Sequence, residues 1–141
     1  MENINALDEV NKGTTMGMEA IHFLIDKVED DTFRKVLDGE YKKYEGIAKK
    51  VSVIYPNYSD KLPHKVNSLT KAMTWGGIEM RTFNDTSNSK IAELLIQGTN
   101  MGIIEGRKLL NNKDIDEEVN NLISEFVTMQ EDSVETLKKY L

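Results

Sequence analysis

The sequence predicts an all-α fold in which four long helices and one shorter helix pack about a single core. Three observations carry this. Apolar residues recur at three- and four-residue intervals through most of the chain, the breaks between these runs are short and polar, and no run alternates apolar and polar residues as a half-buried strand does. At 141 residues the chain has the size of one domain with one core, so residues 1–141 are expected to fold as a unit.

The first helical stripe reads Leu7, Val10, Thr14, Gly17, Ile21, Leu24 and Val28. The second reads Phe33, Leu37, Glu40, Tyr44, Ile47, Val51 and Ile54, after a break, Glu29-Asp30-Asp31-Thr32, rich in side chains that cap helix starts. Both prolines, Pro56 and Pro63, fall in residues 55–64, which lack helical periodicity and read as the main connecting loop. A shorter middle helix follows through Val66, Leu69, Met73, Gly76, Met80 and Phe83. The fourth stripe reads Ile91, Leu94, Gly98, Met101, Glu105 and Leu109, and the fifth Val119, Leu122, Phe126, Met129, Ser133, Leu137 and Tyr140. Polar breaks at 84–88 and 111–114 bound them. Short connections favour antiparallel neighbours, so the first two helices are expected to form one hairpin and the last two another. The middle helix, about 30 Å long if it has about 20 residues, would carry the chain back along the bundle.

Cysteine is absent, which removes disulfides, thiolate metal sites and a cysteine nucleophile. The net charge is −6, from 18 basic and 24 acidic residues, and the lysines are scattered along solvated helix faces, so no nucleic-acid partner is expected. No stretch approaches 18 uninterrupted apolar residues, and the opening MENINALDEV has neither a cationic start nor an apolar segment. A soluble, cytoplasmic protein without a membrane role is the expectation.

All nine glycines fall inside predicted helices, where each costs about 1 kcal/mol relative to alanine. Gly13 and Gly17 on the first helix, and Gly98, Gly102 and Gly106 on the fourth, are spaced by four. Close approach of two helix backbones there would offset the cost.

Glu19-Ala20-Ile21-His22 has the Glu-x-x-His spacing by which carboxylate-bridged metal bundles place two ligands on one helix face. With Ile21 at the centre of the buried stripe, Glu19 lies about 160° away and His22 about 100° away, so the pair points outward or sideways. The same construction places Glu40, Tyr44, Glu105, Gln130 and Ser133 on inward faces. A buried carboxylate is costly unless paired or hydrogen-bonded, so Glu40 and Glu105 each need a partner. Glu40 is expected near Gly98 and Gln130, with Glu105 about 11 Å further along the bundle.

Two helical hairpins, a crossing segment, and inward glutamates on the second and fourth helices resemble the ferritin-like superfamily, in particular small bacterial bundle families of unknown function related to rubrerythrins. The resemblance implies a ferritin-like four-helix bundle with a shorter crossover helix between helices two and four. Metal-binding members carry a glutamate on the first and third bundle helices and Glu-x-x-His on the second and fourth. Glu40 and Glu105 match two of these positions, while Lys43 stands where a histidine would follow Glu40. The fifth predicted helix offers Gln130 and Glu131 followed by Ser133 and Val134, and the first has no inward carboxylate. A metal site at Glu40 and Glu105, for iron or another divalent ion, is therefore an incomplete version of the family's centre.

Several helices carry apolar residues away from their main stripe: Ile96, Ile103 and Leu110 on the fourth, Trp75 and Ile78 on the middle one, Met16 and Phe23 on the first. Part of this surface must cover the crossing helix. The remainder is a candidate interface for a homodimer or an unknown protein partner, with Trp75 its natural anchor. No phosphate loop, nucleophile elbow or inward histidine is present, so a non-enzymatic, homo-oligomeric or partner-binding module without a cofactor is the expected function. A metal-binding protein with an incomplete carboxylate site is the alternative.

Overall fold

Helix boundaries fall where capping groups are available. In the computed structural model, residues 2–63, 76–82, 84–112 and 114–141 are described. Helix α1 runs over Glu2–Ile25 and α2 over Asp31–Ile54, the second opened by Asp30, whose carboxylate accepts from the Phe33 N–H at 2.8 Å. A short 3₁₀ turn, Tyr55–Asn57, follows directly, with Pro56 inside it. Residues 76–82 are helical and are called α3. Ser87 caps α4, Asn88–Leu110, through the Lys90 N–H. Helix α5, Glu117–Lys138, starts after Asp116, which makes no side-chain cap and instead accepts from the Tyr58 hydroxyl at 3.0 Å. The described residues contain no strand, and none of their helices is long and apolar enough to cross a membrane.

Polar contacts fix the direction of each helix. Asn112 donates to Glu2 and the Asp116 N–H to Asn3, so the end of α4, the start of α5 and the start of α1 share one end of the bundle. The Tyr55 hydroxyl reaches Asp8, which brings the end of α2 to that same end. Along the α2/α5 seam, Glu40 faces Ser133, Lys50 faces Glu125 and Asn57 faces Glu118. As one number rises the other falls, so these helices are antiparallel. In chain order α1, α2, α4 and α5 run up, down, down and up, so the end of α2 and the start of α4 lie at opposite ends of the bundle. Lys27 pairs with Glu79 at 3.4 Å, which ties α3 to the far end of α1. Val66, Leu69, Met73 and Phe83 of the predicted middle stripe, with His64 and Trp75, lie outside the described residues.

The core follows the predicted stripes in three helices. Leu7, Val10 and Leu24 of α1 with Val28 just past its end, Phe33, Leu37, Tyr44 and Val51 of α2, and Val119, Phe126 and Leu137 of α5 are buried. Helix α4 departs from its predicted stripe. Ile91 and Leu94 are buried as expected, but Gly98, Met101 and Glu105 are exposed, and the buried set also contains Ala92, Leu95, Thr99 and Gly106. The inward face is displaced by about 60° from the predicted one. Its lower half carries the smallest residues because side chains of α5 fill that space. A Cβ at Gly102 would stand 2.1 Å from Gln130 Nε2, and one at Gly106 2.4 Å from Val127 Cγ2.

The glycines therefore work differently from the expected approach of α1 to α4. On α1, Gly13 receives the edge of Phe126 and Gly17 the ring of Tyr44, whose Cε1 and Cζ would both be 2.7 Å from an added Cβ. Each glycine admits a large side chain from a helix of the second layer. The Tyr44 and Phe126 rings so admitted meet edge to face, with centroids 6.5 Å apart.

Candidate binding cleft

A cleft of about 1010 Å³ opens between α1 and α4, with Gly77, Ile78 and Arg81 of α3 also on its wall. Small residues stand on both long walls: Gly13, Gly17 and Ala20 on one side, Gly98, Thr99 and Gly102 on the other. Apolar side chains such as Val10, Ile21, Leu24 and Leu95 line most of the interior.

The floor is polar. Glu40, 5% exposed, projects from the buried stripe of α2 and accepts a hydrogen bond from the Ser133 hydroxyl on α5. Its other oxygen accepts from Lys43 one turn along, at 3.0 Å, so a half-exposed ammonium reaches back over the helix to the buried carboxylate. Two partners of this kind make a buried carboxylate tolerable. Tyr44 lies beside it, with Gln130 and Thr99 as the polar neighbours of its hydroxyl. Burial pushes the Tyr44 pKa up, further helped by the charge of Glu40, and those two hydrogen-bond partners only partly offset the rise. Thr99 donates to the Leu95 carbonyl at 2.7 Å. Gln130, 2% exposed, leaves its Oε1 without a hydrogen-bond partner. An orphaned buried carbonyl costs about 1–3 kcal/mol, and no other buried side-chain N or O atom among the described residues is left so.

The structure brings Glu40, Tyr44, Gln130 and Ser133 together as their helical angles predict. It does not bring Glu105 to them. The Glu105 side chain is 60% exposed and pairs with Lys108 at 3.3 Å on the edge of the cleft, a consequence of the displaced face. The expected burial of Glu105 is thus corrected: its side chain meets solvent. Among the described residues no group of three or more His, Asp or Glu side chains converges to hold a metal ion. His22 is exposed and Glu19 half-buried.

Ile78, Ile96, Ile103 and Leu110 of the candidate interface are half-buried and pack against this chain's own core. Trp75 lies outside the described residues. The exposed apolar surface of α4 is instead Met101 and Ile104.

Sequence reasoning missed one buried carboxylate. Asp8 of α1 is 3% exposed and accepts from the Tyr55 hydroxyl at 2.9 Å, although the first helix was expected to have no inward acid. It lies about 140° from Ile21 on the helical wheel, and a group distant in sequence, the aromatic after α2, bonds to it. Comparison with family models, curated proteins and solved structures finds no match for this chain.

Proposed function

We propose that this chain is a non-enzymatic binding module on a ferritin-like scaffold, and that its binding element is the cleft between α1 and α4. The up, down, down, up order of the helices supports the scaffold. The observation that carries the binding reading is a cleft of about 1010 Å³ with an apolar interior and a buried polar floor. Small-molecule sites have volumes of about 300–1,000 Å³, apolar walls and a few convergent polar groups, and between the helices of a bundle is one of their usual places. The metal-binding alternative has less support, because Glu40 is engaged by Ser133 and Lys43 while Glu105 faces solvent.

The test uses N-phenyl-1-naphthylamine, an apolar probe that brightens when it leaves water. Wild-type protein should bind it saturably. Gly98→Leu should abolish that binding, since Gly98 lines the cleft and the first carbon of the new side chain meets nothing within 4 Å, leaving room for the rest to extend into the cleft. Equal binding by both proteins would reject the cleft as the site.

Met101 and Ile104, 68% and 54% exposed, favour a second reading, a homodimer formed through this face of α4. Light scattering over a concentration series decides it, since a monomer mass throughout would remove that reading.

A further inference from the structure

The charges on the walls of the cleft do not cancel evenly. Five charged residues line it: Glu9, Lys12, Glu40, Arg81 and Glu105. Three are carboxylates, and each has an ammonium of its own: Glu9 pairs with Lys12 at 3.1 Å, Glu40 with Lys43 at 3.0 Å and Glu105 with Lys108 at 3.3 Å. Arg81 is the cation left over. It is exposed, and the acids nearest to it in sequence are engaged elsewhere, Glu79 by Lys27 at 3.4 Å and Asp85 by the Ser87 N–H at 3.0 Å. Among the described residues Arg81 is in no ion pair, and residues 1, 64–75, 83 and 113, outside that set, add no Asp or Glu to the sequence.

The fold puts this cation at one end of the cleft. The pair between Lys27 and Glu79 ties α3 to the end of α1, beside the start of α4, so Arg81 belongs with Leu24 and Leu94 on the cleft wall. Glu9, Lys12 and Glu105 belong to the opposite end. Eleven residues of α4 separate Leu94 from Glu105, about 17 Å at 1.5 Å per residue, whereas salt screens charges beyond about 8 Å at physiological ionic strength. The acids of the far end therefore do little to repel an anion beside Arg81. Between the two ends the walls are glycine and apolar side chains, with Met16 and Met101, unbranched and adaptable, at the rim.

We propose that the cleft takes a single-chain anionic amphiphile of the fatty-acid class, its carboxylate on the Arg81 guanidinium and its chain laid along the glycine-lined channel between α1 and α4. A guanidinium presents a planar fork of donors that matches a carboxylate. A cationic head has no such place, because the carboxylates that line the cleft already hold lysines and the free charge would repel it. This assignment rests on the cleft being the binding site, and its test separates the two ideas.

The experiment is isothermal titration of the full chain at neutral pH, below the micelle concentrations, with three guests of equal chain length: decanoate, 1-decanol and decylamine. Decanoate should bind about three- to tenfold more tightly than decanol, the range expected of one charge-assisted pair open to solvent, and decylamine should bind no better than decanol. Arg81→Gln should bring decanoate to the level of decanol while leaving decanol unchanged, and Arg81→Lys, which keeps the charge, should retain most of the preference. Gly98→Leu should weaken all three guests. Equal affinities for decanoate and decanol in wild type, tighter decylamine, or a preference that survives Arg81→Gln would each overturn the head assignment while the cleft reading stands. Decanoate binding untouched by Gly98→Leu would place the anion outside the cleft and overturn the assignment as well. Absence of binding by all three guests would overturn both ideas. The wild-type series decides the matter even if a variant does not fold.

Discussion

Tyr55 and Asp8 show how much one side chain can depend on another 47 positions away. The inward positions of Glu40, Tyr44, Gln130 and Ser133 were legible because each sits in a dense apolar stripe on its own helix. Asp8 was not legible, since its hydrogen-bond partner is an aromatic on a turn after the next helix. The three tyrosines of this kind have a measurable consequence. Burial is the largest cause pushing up the pKa of Tyr44, Tyr55 and Tyr58; Asp8 adds to it at Tyr55, and Asp116 with Glu118 adds to it at Tyr58, which reaches about 12. A phenol whose folded pKa is raised contributes stability that is fully present below the unfolded value of about 10 and is lost as pH rises through the folded value. Urea midpoints measured from about pH 9 to about pH 12 should therefore fall across that window. The fall should become shallower in Tyr55→Phe and in Tyr58→Phe, and an unchanged slope in both would contradict the assignment.

Helix α4 is the element at which sequence and structure part. Periodicity weighted Met101 as apolar and so as inward, and carried Glu105 with it, whereas the true face runs through residues with little side chain to count. Small residues on an inward face are legible only once the neighbour that fills them is known, here Gln130 and Val127 of α5. The same helix then makes opposite predictions for one chemical change. Gly98→Ala adds a methyl group to open space and should stabilise the protein by about 1 kcal/mol, the difference in helix propensity. Gly106→Ala places its methyl group 2.4 Å from Val127 Cγ2, and valine is stiff about χ1, so overpacking of about 1–3 kcal/mol should outweigh the same gain. Chemical denaturation of the two variants gives the signs directly, and a stabilised Gly106→Ala would mean that the α4/α5 contact is looser than these distances imply.

At the scale of the whole molecule, two local hairpins were legible from the short polar breaks. The return along the bundle was only an expectation from the length of the middle helix, whereas the contacts along the α2/α5 seam set those two helices antiparallel. That seam joins parts of the chain far apart in sequence: Lys50 meets Glu125 across 75 positions, and Glu40 meets Ser133 across 93. The connection between α2 and α4 is already long in sequence, residues 55–87, and the cost of closing a loop grows only with the logarithm of its length. Adding about ten glycine and serine residues after the exposed Asp60 should therefore cost only about 0.2 kcal/mol through closure, too little to move a urea midpoint detectably. A larger loss would show that the residues after Asp60 must hold their register for the bundle to close. Without such a loss, two hairpins on a tolerant tether form a scaffold in which the length of the crossing can drift while the seam, and the polar floor it supports, keep their geometry.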